Sequence, residues 1–240
     1  KRYKEKLFIK FFNVYRNINK KLIWFHVASI GEFKSITPII KELNKTNKYE
    51  FLITSVTLSS AQLIYKDFFN EKNIFHRFFP FDKLSLVQKF LSEWSPELII
   101  FVDSEIWPNF ILEIKSKKIP LAIINGRITK KTFKKWMLIS NFAKKIFSSF
   151  DLCLPSSAES QTYLEKLNAK NIKYIGNLKF ASSIEMKKFN IENEKFFNKK
   201  KFWCAASTHK GEEIFCLKTH LVLKKVYNDI ILIIIPRHIS

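Results

Sequence analysis

The chain has 240 residues, 42 Lys and Arg against 21 Asp and Glu, and a formal net charge of +21. That length can bury a core as one large domain or two smaller ones. Three cysteines (Cys153, Cys204, Cys216) without CxxC spacing argue against a disulfide scaffold and against a zinc site. No apolar run approaches the roughly 20 residues needed to span a bilayer.

The charge has two readings that stay open here. One is an anionic partner: nucleic acid, anionic lipid or a phosphorylated substrate. The other is a coding bias toward Lys, Asn, Ile and Phe, of which 25 are Phe. The chain opens on Lys1 and closes on IIIPRHIS, directly against an apolar run, as a segment of a longer protein would. No signal peptide is visible.

Apolar runs alternate with 3.6-periodic stretches along the chain. The first strand, 22–28, runs into Ser29-Ile30-Gly31-Glu32 and a helix over 32–43. Gly31 lets backbone approach a ligand and permits positive φ. Glu32 is either a first-turn acid answering the helix dipole or a carboxylate delivered to a ligand. The GxGxxG dinucleotide pattern is absent. Strand 51–56, helix 60–69, strand 75–78 and helix 84–94 follow.

Strand 98–102 ends in DSEIWPN. Asp103 and Glu105 are again acids at a strand's carboxyl end, with Pro108 suited to a first helical turn. They fit a general base with supporting carboxylates, whose mutual repulsion would raise a pKa, a cation site, or a simple helix cap. After helix 107–116, strand 121–124 leads into INGRIT and Arg127, then a long helix over 131–147. Strand 151–154, helix 158–167 and strand 173–175 follow, and GNLKF presents Lys179. Either cation can meet negative charge that grows in a transition state.

The rhythm stops over 181–201, a polar and charged stretch, and restarts with strand 202–205, helix 211–226 and strand 230–235. Ser207, Thr208 and His209 stand before an acidic first turn, as a phosphate-type or capping arrangement would have them. Pro236, Arg237 and His238 follow the last strand, and an Arg there can hold a phosphate bidentately. His220 and His238 lack metal-ligand spacing. The expectation is an α/β protein: a Rossmann-like domain over 1–180, a linker over 181–201 and the start of a second Rossmann-like domain over 202–240. Ligands in such sheets sit outside the carboxyl ends of the strands. The lysines look scattered along the chain, which weighs against a nucleic-acid surface.

Seven segments taken in order, WFHVASIGE, PFD, DSEIWPN, IPLAIINGRIT, GNLKF, AASTHKGEEI and IIPRH, resemble the 3-deoxy-D-manno-octulosonic acid (Kdo) transferases of lipopolysaccharide biosynthesis. The resemblance implies a GT-B glycosyltransferase, with an N-terminal acceptor domain and a C-terminal nucleotide-sugar domain. It implies inverting transfer from CMP-Kdo to a lipid A precursor (lipid IVA) at the cytoplasmic face of the bacterial inner membrane. No metal or other cofactor is implied. Carried onto this sequence, Glu32 is the catalytic base and Lys179 stabilises the transition state. The acidic pair falls on Asp103 and Glu105, and Pro236 with Arg237 contacts CMP. Ser207, Thr208 and His209 lie near the donor. In two places the sequence departs from the family pattern: Asp103 stands where Glu is usual, and TSVTLSSAQ lacks a glycine near its centre. The family's later glycine-rich donor motif lies beyond Ser240, so this segment alone is expected to be inactive. The open alternatives are another GT-B enzyme with a different donor, and a non-catalytic basic module binding membrane or nucleic acid.

Overall fold

The computed structural model describes residues 19–178 and 196–237. The chain divides into two compact units, Lys1–Ser183 and Ile184–Ser240. The first alternates strands and helices: β1 (Lys21–Val27), α1 (Ile30–Asn44), β2 (Tyr49–Ser55), α2 (Leu58–Asp67), β3 (Ile74–Phe78), α3 (Leu84–Trp94), β4 (Leu98–Val102), α4 (Pro108–Ser116), β5 (Leu121–Gly126), α5 (Lys130–Met137), α6 (Ser140–Phe147), β6 (Leu152–Pro155) and α7 (Ala158–Lys166).

Its six strands form one sheet in the order β3-β2-β1-β4-β5-β6, every pair parallel. This is the Rossmann order. The order reverses between β1 and β4, where open sheets of this kind bind ligands. Side-chain alternation along β1 supplies both faces. Leu22 and Trp24 enter one core cluster, and Ile23, Phe25 and Val27 the other. Trp24 lies 5.0–6.1 Å from the rings of Phe79, Phe90, Phe101 and Phe110. Its indole N–H donates to Thr54 Oγ1 at 2.8 Å, so the one polar atom of that ring is not stranded in the core.

Two sequence expectations fail in this unit. The stretch 131–147 is not one helix. Its apolar period runs unbroken, so periodicity alone cannot show the break. Leu138 N and Ile139 N instead bond three residues back, to Lys135 and Trp136. The tightened chain turns there, sending Ala143, Ile146 and Phe147 into the core while α5 buries no residue. Residues 173–175 form no strand either. Only Ile172 bridges to Cys153. Tyr174 and Ile175 stay 50% and 70% exposed, so that short apolar run has no face to cover.

The second unit pairs β7 (Phe202–Thr208) with β8 (Ile231–Pro236) in parallel, joined by α8 (Glu212–Lys224). No residue of α8 is buried.

Candidate active site

Glu32 sits in the first turn of α1, where β1 ends. Ser29 caps that helix by accepting from Glu32 N at 3.3 Å. The carboxylate reaches back. Oε2 accepts from Ala28 N at 2.7 Å, and Oε1 accepts from the Ser29 hydroxyl at 2.8 Å. The helix-end reading of Glu32 is therefore satisfied by geometry close to a capping box. The side chain is nonetheless enclosed, with 8% of the residue exposed. Burial pushes its pKa above the ordinary value of 4.5, against the two hydrogen bonds, and the charges of Asp103 and Glu105 add to the rise. Gly31 does not make a left-handed turn, since the helix begins at Ile30. A Cβ there would meet only the Ser29 hydroxyl, at 3.9 Å.

Left-handed backbone appears instead at non-glycine residues at strand ends: Asp103 (φ 62), Asn125 (φ 53) and Ser207 (φ 60). Asp and Asn tolerate this region better than most residues, and such strain gathers at functional sites. Asp103 follows β4 directly and is almost fully buried. Its Oδ1 accepts from Ser104 Oγ at 2.9 Å, and that hydroxyl also lies 3.0 Å from Arg127 O.

Glu105 departs from the expected mutual raising of pKa among the acids. Burial would raise it. Hydrogen bonds from His26 and Trp107, with the His26 charge, outweigh burial and hold it below the ordinary range. Glu105 Oε2 lies 3.1 Å from His26 Nε2 and accepts from Trp107 Nε1 at 2.8 Å. His26 is fully buried on β1 and stacks on Phe79 at 3.8 Å between ring centroids. Its Nδ1 faces Thr54 Oγ1 at 3.0 Å. Sequence reading passed over His26, although a lone imidazole inside WFHVAS was the available signal: a polar ring in a buried strand needs partners.

Arg127 is exposed after β5. With Asp103, Asn125, Thr129 and Ser157 it lines a cavity of about 300 Å³. Leu178 N donates to Asn125 Oδ1 at 3.1 Å, which ties the GNL segment to the end of β5. Lys179 lies outside the described residues. Asp82 of the PFD segment has a structural task. Its carboxylate accepts from Asn109 N at 3.1 Å and Phe110 N at 3.0 Å, capping α4 from another loop.

In the second unit Ser207, Thr208, His209, Pro236 and Arg237 come together where β7 and β8 end. Thr208 pairs with Pro236, and Arg237 N donates to Thr208 O at 3.0 Å. Glu212 accepts from His209 N at 2.8 Å. His238 lies outside the described residues. No cluster of metal-ligating side chains is present among the described residues.

The Rossmann-ordered sheet, the acids at its switch point and the second β-α-β unit define an α/β protein of the GT-B class. UDP-GlcNAc 2-epimerase from Neisseria meningitidis shares this fold, with a TM-score of 0.62 and 17% identity over 92% of this chain and 66% of that one. Residues 1–182 match the model of the family described as 3-deoxy-D-manno-octulosonic-acid transferase (kdotransferase). The chain is 34% identical to the 3-deoxy-D-manno-octulosonic acid transferase of Rickettsia typhi, over 93% of its own length and 48% of that protein. It is 32% identical to a probable mitochondrial 3-deoxy-D-manno-octulosonic acid transferase of Arabidopsis thaliana, over 90% and 50% respectively. The chain belongs to the Kdo transferase family, and it spans about half the length of the curated relatives it matches.

Proposed function

We propose that the complete protein transfers Kdo from CMP-Kdo to the lipid A precursor lipid IVA at an anionic membrane surface, with inversion and with Glu32 as general base. The observation that carries this reading is the Glu32 carboxyl. It is enclosed, raised in pKa and held at the switch point by two fixed donors. Base assistance to a poorly nucleophilic hydroxyl is typically worth ~10² to 10⁴-fold.

In this reading the acceptor hydroxyl oxygen attacks the anomeric carbon of Kdo while the bond from that carbon to the CMP phosphate oxygen breaks. The hydroxyl proton passes to Glu32, and CMP leaves with the electron pair. Asp103 and Glu105 keep negative charge beside Glu32 and so favour its accepting a proton. Arg127 and Lys179 would meet acceptor or phosphate charge. Arg237 would meet the CMP phosphate, with Ser207, Thr208, His209, Pro236 and His238 around the donor. The chemistry needs no metal in this scheme.

The test is transfer from CMP-Kdo to lipid IVA by the full-length protein and its Glu32→Gln variant. Turnover is expected to fall at least ~10²-fold. Near-normal turnover by the variant would remove Glu32 from the mechanism, and no transfer by the wild type would overturn the substrate assignment.

A further inference from the structure

One surface of the first unit takes no part in the scheme above: the α5–α6 hairpin. Its tip exposes four apolar side chains within six residues: Met137 (39%), Leu138 (85%), Ile139 (51%) and Phe142 (40%). Lys134 and Lys135 on α5 stand within four residues of Leu138, with Lys130 and Lys131 further back along α5 and Lys144 and Lys145 along α6, all exposed. Residues 130–150 contain no Asp or Glu. Among the described residues none of these six lysines enters an ion pair.

An apolar tip on a hairpin that carries six exposed lysines and no acid fits an anionic lipid surface: the tip enters the headgroup layer and the lysines nearest it meet lipid phosphates. A second copy of this chain, at +21, is disfavoured by its charge. Single-stranded nucleic acid would favour aromatic rings for stacking, whereas the most exposed groups at the tip are the aliphatic Leu138 and Ile139. α5 also starts two residues after Ile128, at the carboxyl edge of the sheet where Arg127 and Asp103 line their cavity. Eight residues of helix, ~12 Å, separate that edge from the tip. A lipid-borne acceptor would need to cross about that distance.

We propose that the α5–α6 hairpin is a docking surface for an anionic bilayer, with Leu138 and Ile139 inserted and Lys134 and Lys135 at the phosphates. The proposal rests on the reading that the acceptor is carried by a membrane.

The experiment is co-sedimentation of the full-length protein with vesicles of phosphatidylcholine alone and of phosphatidylcholine mixed with phosphatidylglycerol. Leu138→Ser and the pair Lys134→Ala, Lys135→Ala are compared with wild type, and thermal unfolding confirms that each variant folds. Wild type is expected to partition onto the anionic vesicles only, and the lysine pair to weaken this at least ~10-fold. Leu138→Ser is expected to weaken it several-fold without changing the oligomeric state. Partition equal to wild type in both variants would overturn the proposal. So would a Leu138→Ser effect confined to self-association, or a lysine effect confined to RNA binding. Transfer to lipid IVA dispersed in neutral detergent separates the two claims. Its absence in wild type counts against the Kdo reading, whereas normal transfer with unchanged vesicle binding counts against the docking surface alone.

Discussion

At the end of β1, Glu32 accepts a hydrogen bond from Ala28 N, four residues back. At the end of β7, Glu212 accepts one from His209 N and Glu213 one from Gly211 N. Both turns place acids in the first turn of a helix, where backbone N–H groups lack partners. Yet Glu32 is buried and its carboxyl is raised, whereas Glu212 is exposed and Glu213, bound by its own backbone N–H and that of Gly211, is lowered. The local motif is shared, and the carboxyls differ because Glu32 is enclosed at the switch point of the six-stranded sheet and the acids after β7 are not enclosed. Capping is a property of four residues. Enclosure, and the raised pKa it brings, is a property of the packing around them.

The sharpest way to break that comparison is to neutralise each acid. Glu32→Gln should lower turnover at least ~10²-fold. Glu212→Gln, an exposed substitution of the kind that moves stability by no more than about 0.5 kcal/mol, should leave turnover nearly unchanged. The same Glu32→Gln variant should unfold at a higher temperature at neutral pH. The folded carboxyl binds its proton more tightly than the unfolded one, so stability falls as pH rises through the window above 4.5, and glutamine abolishes that loss.

Next in size is His26→Asn. It leaves Glu105, beside Glu32, with Trp107 in place of both partners and should cost on the order of 2 kcal/mol in denaturant unfolding, less than for a wholly enclosed pair because 17% of the Glu105 side chain is exposed. His76 tests the burial rule on a base whose charged form is a cation. Burial, with the Arg77 charge, lowers its pKa from 6.5 to about 4. Stability should therefore hold above pH 6.5 and drop as pH falls toward 4, by about 3 kcal/mol. A pH series of unfolding midpoints checks this, and His76→Gln should flatten the drop. Smallest is Asp82→Ala, a cap with no chemistry attached. It should cost ~1 kcal/mol of stability and leave turnover per folded molecule unchanged.

The alternation of strands and helices was legible because β1, β4 and β5 are nearly continuous apolar runs and α3 keeps a clean period. The acids at strand ends were legible too, since Asp103 and Glu105 follow an apolar run directly. Other features were not. The break at Leu138 leaves the hydrophobic period intact. The left-handed turns fall on Asp103 and Asn125 rather than on Gly31. The pairing of His26 with Glu105 joins residues 79 positions apart, which no local pattern encodes. Whether Glu32 caps or reacts depends on enclosure by elements distant in sequence, so SIGE alone favoured the cap.

The most direct test is the pH dependence of kcat/KM for Kdo transfer by the full-length protein, measured beside Glu32→Gln. The account predicts an acid limb with an apparent pKa above 4.5 in the wild type, from a group that must be ionised to accept the proton, and its disappearance from the residual activity of the variant. A wild-type profile that stays flat through that range, or a limb that survives in Glu32→Gln, would contradict it.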